Sequence, residues 1–251
     1  MTNKLFLEQM TSPEAGDAIA SGYTTIIVPC GAVEQHGPHL PMFVDAEHGT
    51  ALALAIAERM EKTLVAPTIR IGISEHHMDF PGTISLSADT FEAVCKDYCK
   101  SLARHGFKKI CMLPSHGGNF KPLSAMVDRL NRAAGRGAQV VAFTDLVAFL
   151  SAWREIVESE IGLGKRVGGH ADIAETSIML ALHESLVKQD LAVEGFLPDV
   201  DQEVVDRIIR DGFKSVTTTG VLGDARGGTA ELGNRLIEKV ADGLARFFEK
   251  A

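Results

Sequence analysis

The chain has 251 residues, 45% of them hydrophobic and 23% charged, with 33 acidic against 25 basic side chains and a formal charge of −8. The length fits one large core, and the acidic excess, with Arg and Lys scattered, excludes the basic footprint of a nucleic-acid binder. No apolar run approaches the roughly 20 residues that span a bilayer, and the N-terminus has no signal-peptide apolar core, so a cytoplasmic protein is expected.

In chain order, residues 24–30 form the first β-branched apolar run and read as a strand. A Gly/Pro-punctuated loop follows, and then a helical spacing over 46–62. A strand is expected at 63–67, a helix at 88–105, a strand at 108–114, a helix at 123–134 and a strand at 139–144. Residues 162–169, rich in glycine, read as a flexible connection, and 176–187 and 229–250 as further helices. Short apolar strands alternating with amphipathic helices predict an α/β fold with a mostly parallel sheet covered on both faces. No repeat, low-complexity tract or linker argues for a second domain. The cysteines are Cys30, Cys95, Cys99 and Cys111. Cys95 and Cys99 share a helix face, Cys30 and Cys111 end strands, and no CxxC pair exists, so reduced core thiols are expected.

The polar clusters fall where strands end. Glu34, His36, His39 and Asp45 lie within twelve residues after the first strand. Imidazole suits zinc, manganese or iron, and carboxylates bind harder ions and bridge pairs of them. Pro38 and Pro41 restrict the loop and Gly37 permits a turn. Ser115-His116-Gly117-Gly118-Asn119 follows another strand in the same way, with glycines that allow close backbone approach and amides able to line an anion nest. In open α/β sheets such loops converge on one crevice. His170 and Glu175 straddle a loop-to-helix junction, the carboxylate placed to ligate a metal and the histidine to donate a proton; Asp172 reads as a helix-dipole complement. Ser74, Glu75, His76 and His77 sit on a loop before Phe80-Pro-Gly-Thr83, where they either line a substrate pocket or hold the loop in place. Lys165 and Arg166 are the only paired cations near a motif. No nucleophile elbow, P-loop or dinucleotide fingerprint occurs.

The set E-x-H-G-x-H-L-P…D, S-H-G-G-N and H-A-x-x-x-E-T-S resembles the creatininase (creatinine amidohydrolase) family. The Phe80–Thr83 turn and the segment from Thr219 through Asp224 to Glu231 fit it too, so the resemblance covers nearly the whole chain. It implies one creatininase-like metallohydrolase domain over 1–251, a three-layer α/β/α fold and a homo-oligomer, commonly a hexamer. It also implies two divalent ions per subunit, zinc or manganese and in some relatives iron. Glu34, Asp45 and His116 would hold one ion, and His36, Asp45 and Glu175 the other. His170 would move protons, and Glu175 would take a catalytic part as ligand. Ser74, Gly117, Gly118 and Asn119 are expected near the substrate, and His39 is expected to support the ligands. The implied activity is hydrolysis of a C–N bond in a small amide or cyclic amide by metal-activated water. Within the family the alternatives are a formamide deformylase or a cyclic keto-sugar hydrolase. Outside catalysis, the alternative is a metal-stabilised oligomeric binding protein. Creatininase carries a glutamate where this chain has Gly118, and tryptophans about its substrate where this chain has Trp153 alone, so creatinine is not the expected substrate.

Overall fold

The computed structural model describes residues 4–197 and 202–251. Four strands, β1 (Thr25–Cys30), β2 (Thr63–Val65), β3 (Lys109–Pro114) and β4 (Gln139–Ala142), form a parallel sheet in the order β2-β1-β3-β4. The helices are α1 (Ser12–Ala20), α2 (Val44–Ala57), α3 (Ala88–His105), α4 (Gly117–Ala134), α5 (Leu146–Ile161), α6 (Ile173–His183), α7 (Gln202–Asp211) and α8 (Ala230–Lys250). Among the described residues no helix is long and apolar enough to cross a membrane.

The sheet is covered on both faces, which is why its strands read as continuous apolar runs rather than alternating ones. Side chains point to opposite faces along a strand. Ile27, Val65, Cys111 and Leu113 pack on α2, α5, α6 and α8, while Ile26, Val28, Leu64, Ile110 and Met112 pack on α3 and α4. The mostly parallel, helix-flanked sheet expected from the sequence is therefore present.

Helix boundaries follow local chemistry where local chemistry is strong. The expected helix over 88–105 is α3 to the residue: Ser87 Oγ accepts from Thr90 N at its start, and Gly106, at φ 110°, ends it. α4 begins six residues before the expected position. Gly117, Gly118 and Pro122 are poor helix formers, and tertiary bonds override them: the buried Asn119 amide donates to Cys30 O and Gly31 O, both at 3.0 Å.

The 162–169 stretch is not a flexible connection. It forms a 3-10 turn (Gly164–Arg166) and β5 (Val167–His170), which pairs antiparallel with β6 (Leu222–Gly223). A Cβ on Gly168 would lie 2.4 Å from Gly223 N. This glycine serves the close approach of two backbones.

All four cysteines are free and buried. Burial pushes the Cys99 and Cys111 thiols up to about 12. With thiolate scarce and access denied, Ellman's reagent at pH 8 is expected to modify no cysteine in the folded chain and four after denaturation. A rapidly reacting thiol in the folded protein would contradict this packing.

β1 and β3 are neighbours and pair as far as Cys30↔Pro114. The loops leaving both strands therefore emerge side by side at one edge of the sheet.

Candidate metal centre

Four elements bring their side chains to that edge. The loop after β1 supplies Glu34 and His36, the first turn of α2 supplies Asp45, and His116 caps α4 immediately after β3. The fourth element is the β5–α6 junction. There Ala171 takes a left-handed φ of 52° and Asp172 caps α6. Asp172 Oδ1 accepts from Ala174 N (2.8 Å), and Oδ2 accepts from Gly168 N (2.9 Å) and Gly169 N (2.8 Å). This junction turns Glu175 inward while His170 stays on the strand.

The expected ligands Glu34, His36, Asp45, His116 and Glu175 come together, each at most 3% exposed. His116 Nδ1 lies 3.3 Å from Glu34 Oε1 and 3.4 Å from Asp45 Oδ2. His36 Nε2 lies 3.6 Å from Asp45 Oδ1 and 3.7 Å from Glu175 Oε2. Asp45 thus turns one oxygen to each histidine, the disposition of a carboxylate between two cation positions.

The outer ring nitrogens are held by backbone: His36 Nδ1 donates to Glu34 O (3.1 Å) and His116 Nε2 to Ile73 O (2.9 Å). Each bond fixes the ring so that the inner nitrogen faces the carboxylates and can offer its lone pair to a cation once it gives up its proton, as metal-binding histidines require. Glu34 Oε1 and Oε2, His36 Nε2 and Asp45 Oδ2 are buried without a hydrogen-bond partner. Orphaned polar atoms of this kind are costly. Three buried carboxylates with only histidines beside them also carry an uncompensated charge that divalent cations would offset. The donor set fits a pair of such ions.

Electrostatics sharpen the roles. Burial opposes charge on His36 and His116, but Glu175 and Asp45 outweigh it at His36, and Glu34 and Asp45 outweigh it at His116, so both are raised well above the usual histidine range. Asp45 is strongly lowered: burial works against it, and His36 and His116 overcome that. His170 is held well below the usual range by burial and by the charge of His36, so it is neutral. Binding of cations at such a centre would displace protons from the histidines.

Two residues expected near the substrate lie behind the centre. Ser74 and Asn119 are both fully buried. The Asn119 amide is consumed by Cys30, Gly31 and Ile73, and Ser74 Oγ lies 3.4 Å from His116 Nε2, so both brace the centre from behind. Gly117 and Gly118 do line the cleft above it, together with His76, His77, His116 and His170. His39 stands outside the cluster, its Nε2 2.8 Å from Thr176 Oγ1, where it ties the loop to α6 beside Glu175.

The sequence reading missed three things here: Gln35, the role of His77, and the cleft mouth of Leu146, Leu150, Val205, Ile208, Ile209 and Phe213. For Gln35 the available signal was its place inside the ligand motif. The mouth residues come from helices α5 and α7 and, for Phe213, from the 3-10 turn that follows α7, and these carry no polar motif.

A Cβ on Gly118 would meet Ile73 O at 2.2 Å and His116 Nε2 at 2.5 Å, while one on Gly117 would meet nothing within 4 Å. Gly118→Ala is therefore expected to displace His116 and weaken zinc binding about 10- to 100-fold. Gly117→Ala should leave it unchanged; zinc titration calorimetry on both variants checks the contrast.

His48, one turn beyond Asp45 on α2, is lowered to about 4 by burial, against the opposing charge of Asp45. Its folded-state value lies below the unfolded value near 6.5, so the unfolded chain takes up the proton first and stability falls as pH drops below 6.5. Between pH 6.5 and 5 this costs up to about 2 kcal/mol. His48→Gln is expected to flatten that part of the Tm-versus-pH curve; an unchanged slope would assign the acid loss elsewhere.

Comparison with known proteins accords with this geometry. The family model described as "Creatininase: Creatinine amidohydrolase" matches residues 8–248. A mycofactocin precursor peptide peptidase of Mycobacterium ulcerans (strain Agy99) is 32% identical over 234 residues, 89% of this chain and 84% of that protein. The creatinine amidohydrolase of Pseudomonas putida is 29% identical, covering 98% of this chain and 96% of that one. A solved structure titled "Creatininase Mn" superposes with a TM-score of 0.76 at 25% identity, covering 99% of this chain and 98% of the other.

Proposed function

The chain belongs to the creatininase family of hydrolases acting on carbon–nitrogen bonds, and from that footing we propose that it is a metal-dependent amidohydrolase that cleaves a small, uncharged amide. The observation carrying this reading is Asp45, with one oxygen toward His36 and the other toward His116. Glu34, Asp45 and His116 would hold one divalent ion, and His36, Asp45 and Glu175 the second. Zinc and manganese suit this mixture of imidazole and carboxylate, and iron is also compatible. When bound, the ions would supply Lewis acidity and a water acidified to a pKa near 7.

The remaining steps belong to the chain's own side chains. His170, neutral and at the cleft floor, takes a proton from the attacking water at Nδ1 and passes it to the departing nitrogen. The first turn of α4, at Gly117 and Gly118, brings the positive end of a helix dipole to the place where the carbonyl oxygen gains charge.

The cleft has a volume of about 160 Å³ and opens to solvent, room for a small ligand or for one group of a larger one. Among the described residues that line it there is no lysine or arginine, which disfavours a phosphate-bearing substrate. Lys165 and Arg166 do not line it, and Arg166 is engaged with Arg226 O (2.7 Å) and Asp224 (3.4 Å). The apolar mouth favours a second reading, an amide bond in a peptide with an aliphatic side chain, and a relative named as a peptide peptidase supports it. A homo-oligomer is part of the same proposal, to be read by light scattering.

The test is a panel of amides, lactams, formamides and short peptides against protein reconstituted with zinc, manganese or iron. Metal-dependent release of amine from any neutral amide supports the reading. Bound metal with no turnover on the whole panel would favour the non-catalytic alternative.

A further inference from the structure

Two histidines, His77 and His170, flank Glu34: His77 Nε2 lies 3.2 Å and His170 Nδ1 3.7 Å from Glu34 Oε1. By distance alone the three make a metal-binding triad. Whether each ring presents a proton or a lone pair decides what it can do, and both rings bond to Gln35 on their far sides.

The hydrogen bonds admit one arrangement. Gly37 N donates to Gln35 Oε1 (2.9 Å), which fixes the side-chain amide so that Nε2 faces His77 Nδ1 (3.0 Å) and Gly220 O (3.2 Å). Reversing the amide would set two N–H groups against each other at Gly37 and two oxygens at Gly220. His170 Nε2 lies 2.8 Å from the Gln35 backbone oxygen and 2.9 Å from Gln35 Nε2. If His170 Nε2 bears a proton, it donates to Gln35 O, and the two amide hydrogens go to His77 Nδ1 and Gly220 O. Every donor then has an acceptor. If His170 Nε2 were bare, it would oppose a carbonyl oxygen at 2.8 Å, and two hydrogens would face more acceptors than they can serve.

We propose that Gln35 is a positioning residue that sets both histidines to carry their proton on Nε2, so that they present opposite faces to the centre. His77 then turns an N–H toward the centre, 3.2 Å from Glu34 Oε1 though not aligned as a hydrogen bond, and is not a metal ligand, despite its distance. His170 shows a bare Nδ1, the atom that proton transfer needs.

The segments around Gln35 are built for this. Gln35 is 5% exposed, and its N–H donates to Thr83 Oγ1 (3.2 Å). A Cβ on Gly220 would lie 1.9 Å from Gln35 Oε1, and His77 is held against Phe213, ring centroids 4.1 Å apart. The Phe80–Thr83 turn and the Thr219–Asp224 segment, which the amide-hydrolysis reading leaves without a role, thereby support Gln35.

The assignment rests on the metal-centre reading but not on any substrate, so its test is separate from the substrate panel. Neutron diffraction from deuterated, zinc-loaded full-length protein is expected to show deuterium on Nε2 and none on Nδ1 of both His77 and His170. Deuterium on Nδ1 of either ring would overturn the proposal. Histidine-selective ¹⁵N spectra of Gln35→Glu give a second readout that mere loosening of the loop would not produce. The introduced carboxylate cannot donate, so the His77 Nδ1 resonance should shift to the protonated position while His170, held by backbone, keeps its signature. An unshifted His77 also overturns it, and should the variant not fold, the neutron map of the unaltered chain decides alone.

Discussion

Asp45→Ala is expected to remove both metal ions and to lower kcat by about 1,000-fold or more. Each side of the centre has its own histidine and its own terminal carboxylate, but Asp45 alone faces both, Oδ1 toward His36 and Oδ2 toward His116. On the proposed ligand set its loss would strip a ligand from two positions at once, whereas Glu175→Gln or Glu34→Gln should weaken mainly one. Lewis-acid stabilisation is worth several kcal/mol, and about 1.4 kcal/mol is a factor of ten in rate. Metal analysis and differential scanning calorimetry measure the effect together. At a zinc concentration 100 times Kd, binding adds about 2.7 kcal/mol of stability, roughly 5–10 °C in Tm for a chain of this size. The native protein should show that increment over its chelated form and Asp45→Ala should not. Two retained ions per chain in Asp45→Ala would remove the bridge from the proposal.

His170→Asn separates chemistry from binding. The variant is expected to keep its full metal content while kcat falls about 10²- to 10⁴-fold, the range for a positioned general acid–base. His170 is 7% exposed, and burial together with the charge of His36 holds it well below the usual histidine range. A base with a depressed value stays unprotonated to lower pH. The acidic limb of kcat/KM is accordingly expected below pH 6.5 in the native enzyme and absent from the residual activity of the variant. A variant that loses metal and rate in parallel would instead make His170 a ligand.

Strands β1, β2 and β3 were legible because each is buried on both faces, and burial writes itself into sequence as an unbroken apolar run. The cluster Glu34, His36, Asp45 was legible because it sits in one loop after such a run. The His116 loop could be joined to it because both loops leave strands of an open α/β sheet at the same end, whereas Glu175 was joined only through the resemblance to a family, since no spacing along a chain says that residues 34 and 175 meet. α5 and α7 went unread although Phe149, Trp153, Ile156 and Val157 are buried on one side of α5. Their importance lies in the cleft mouth they form, and an aliphatic side chain at a mouth looks like one in a core. Glycines were the least legible: Gly168 and Gly220 suggested flexibility or nothing, and each proves to be a point of close approach.

The sequence by itself determined the chemistry available: buried strands, with carboxylates and imidazoles on the loops beyond them. Only the tertiary structure decided the direction of each polar atom. Which oxygen of Asp45 faces which histidine, that Asn119 bonds backbone behind the centre, and which nitrogen of His77 and His170 carries the proton all depend on groups distant in the chain. A hydrogen bond is set by ångström-scale distance and by angle, and those are fixed by packing rather than by the order of residues.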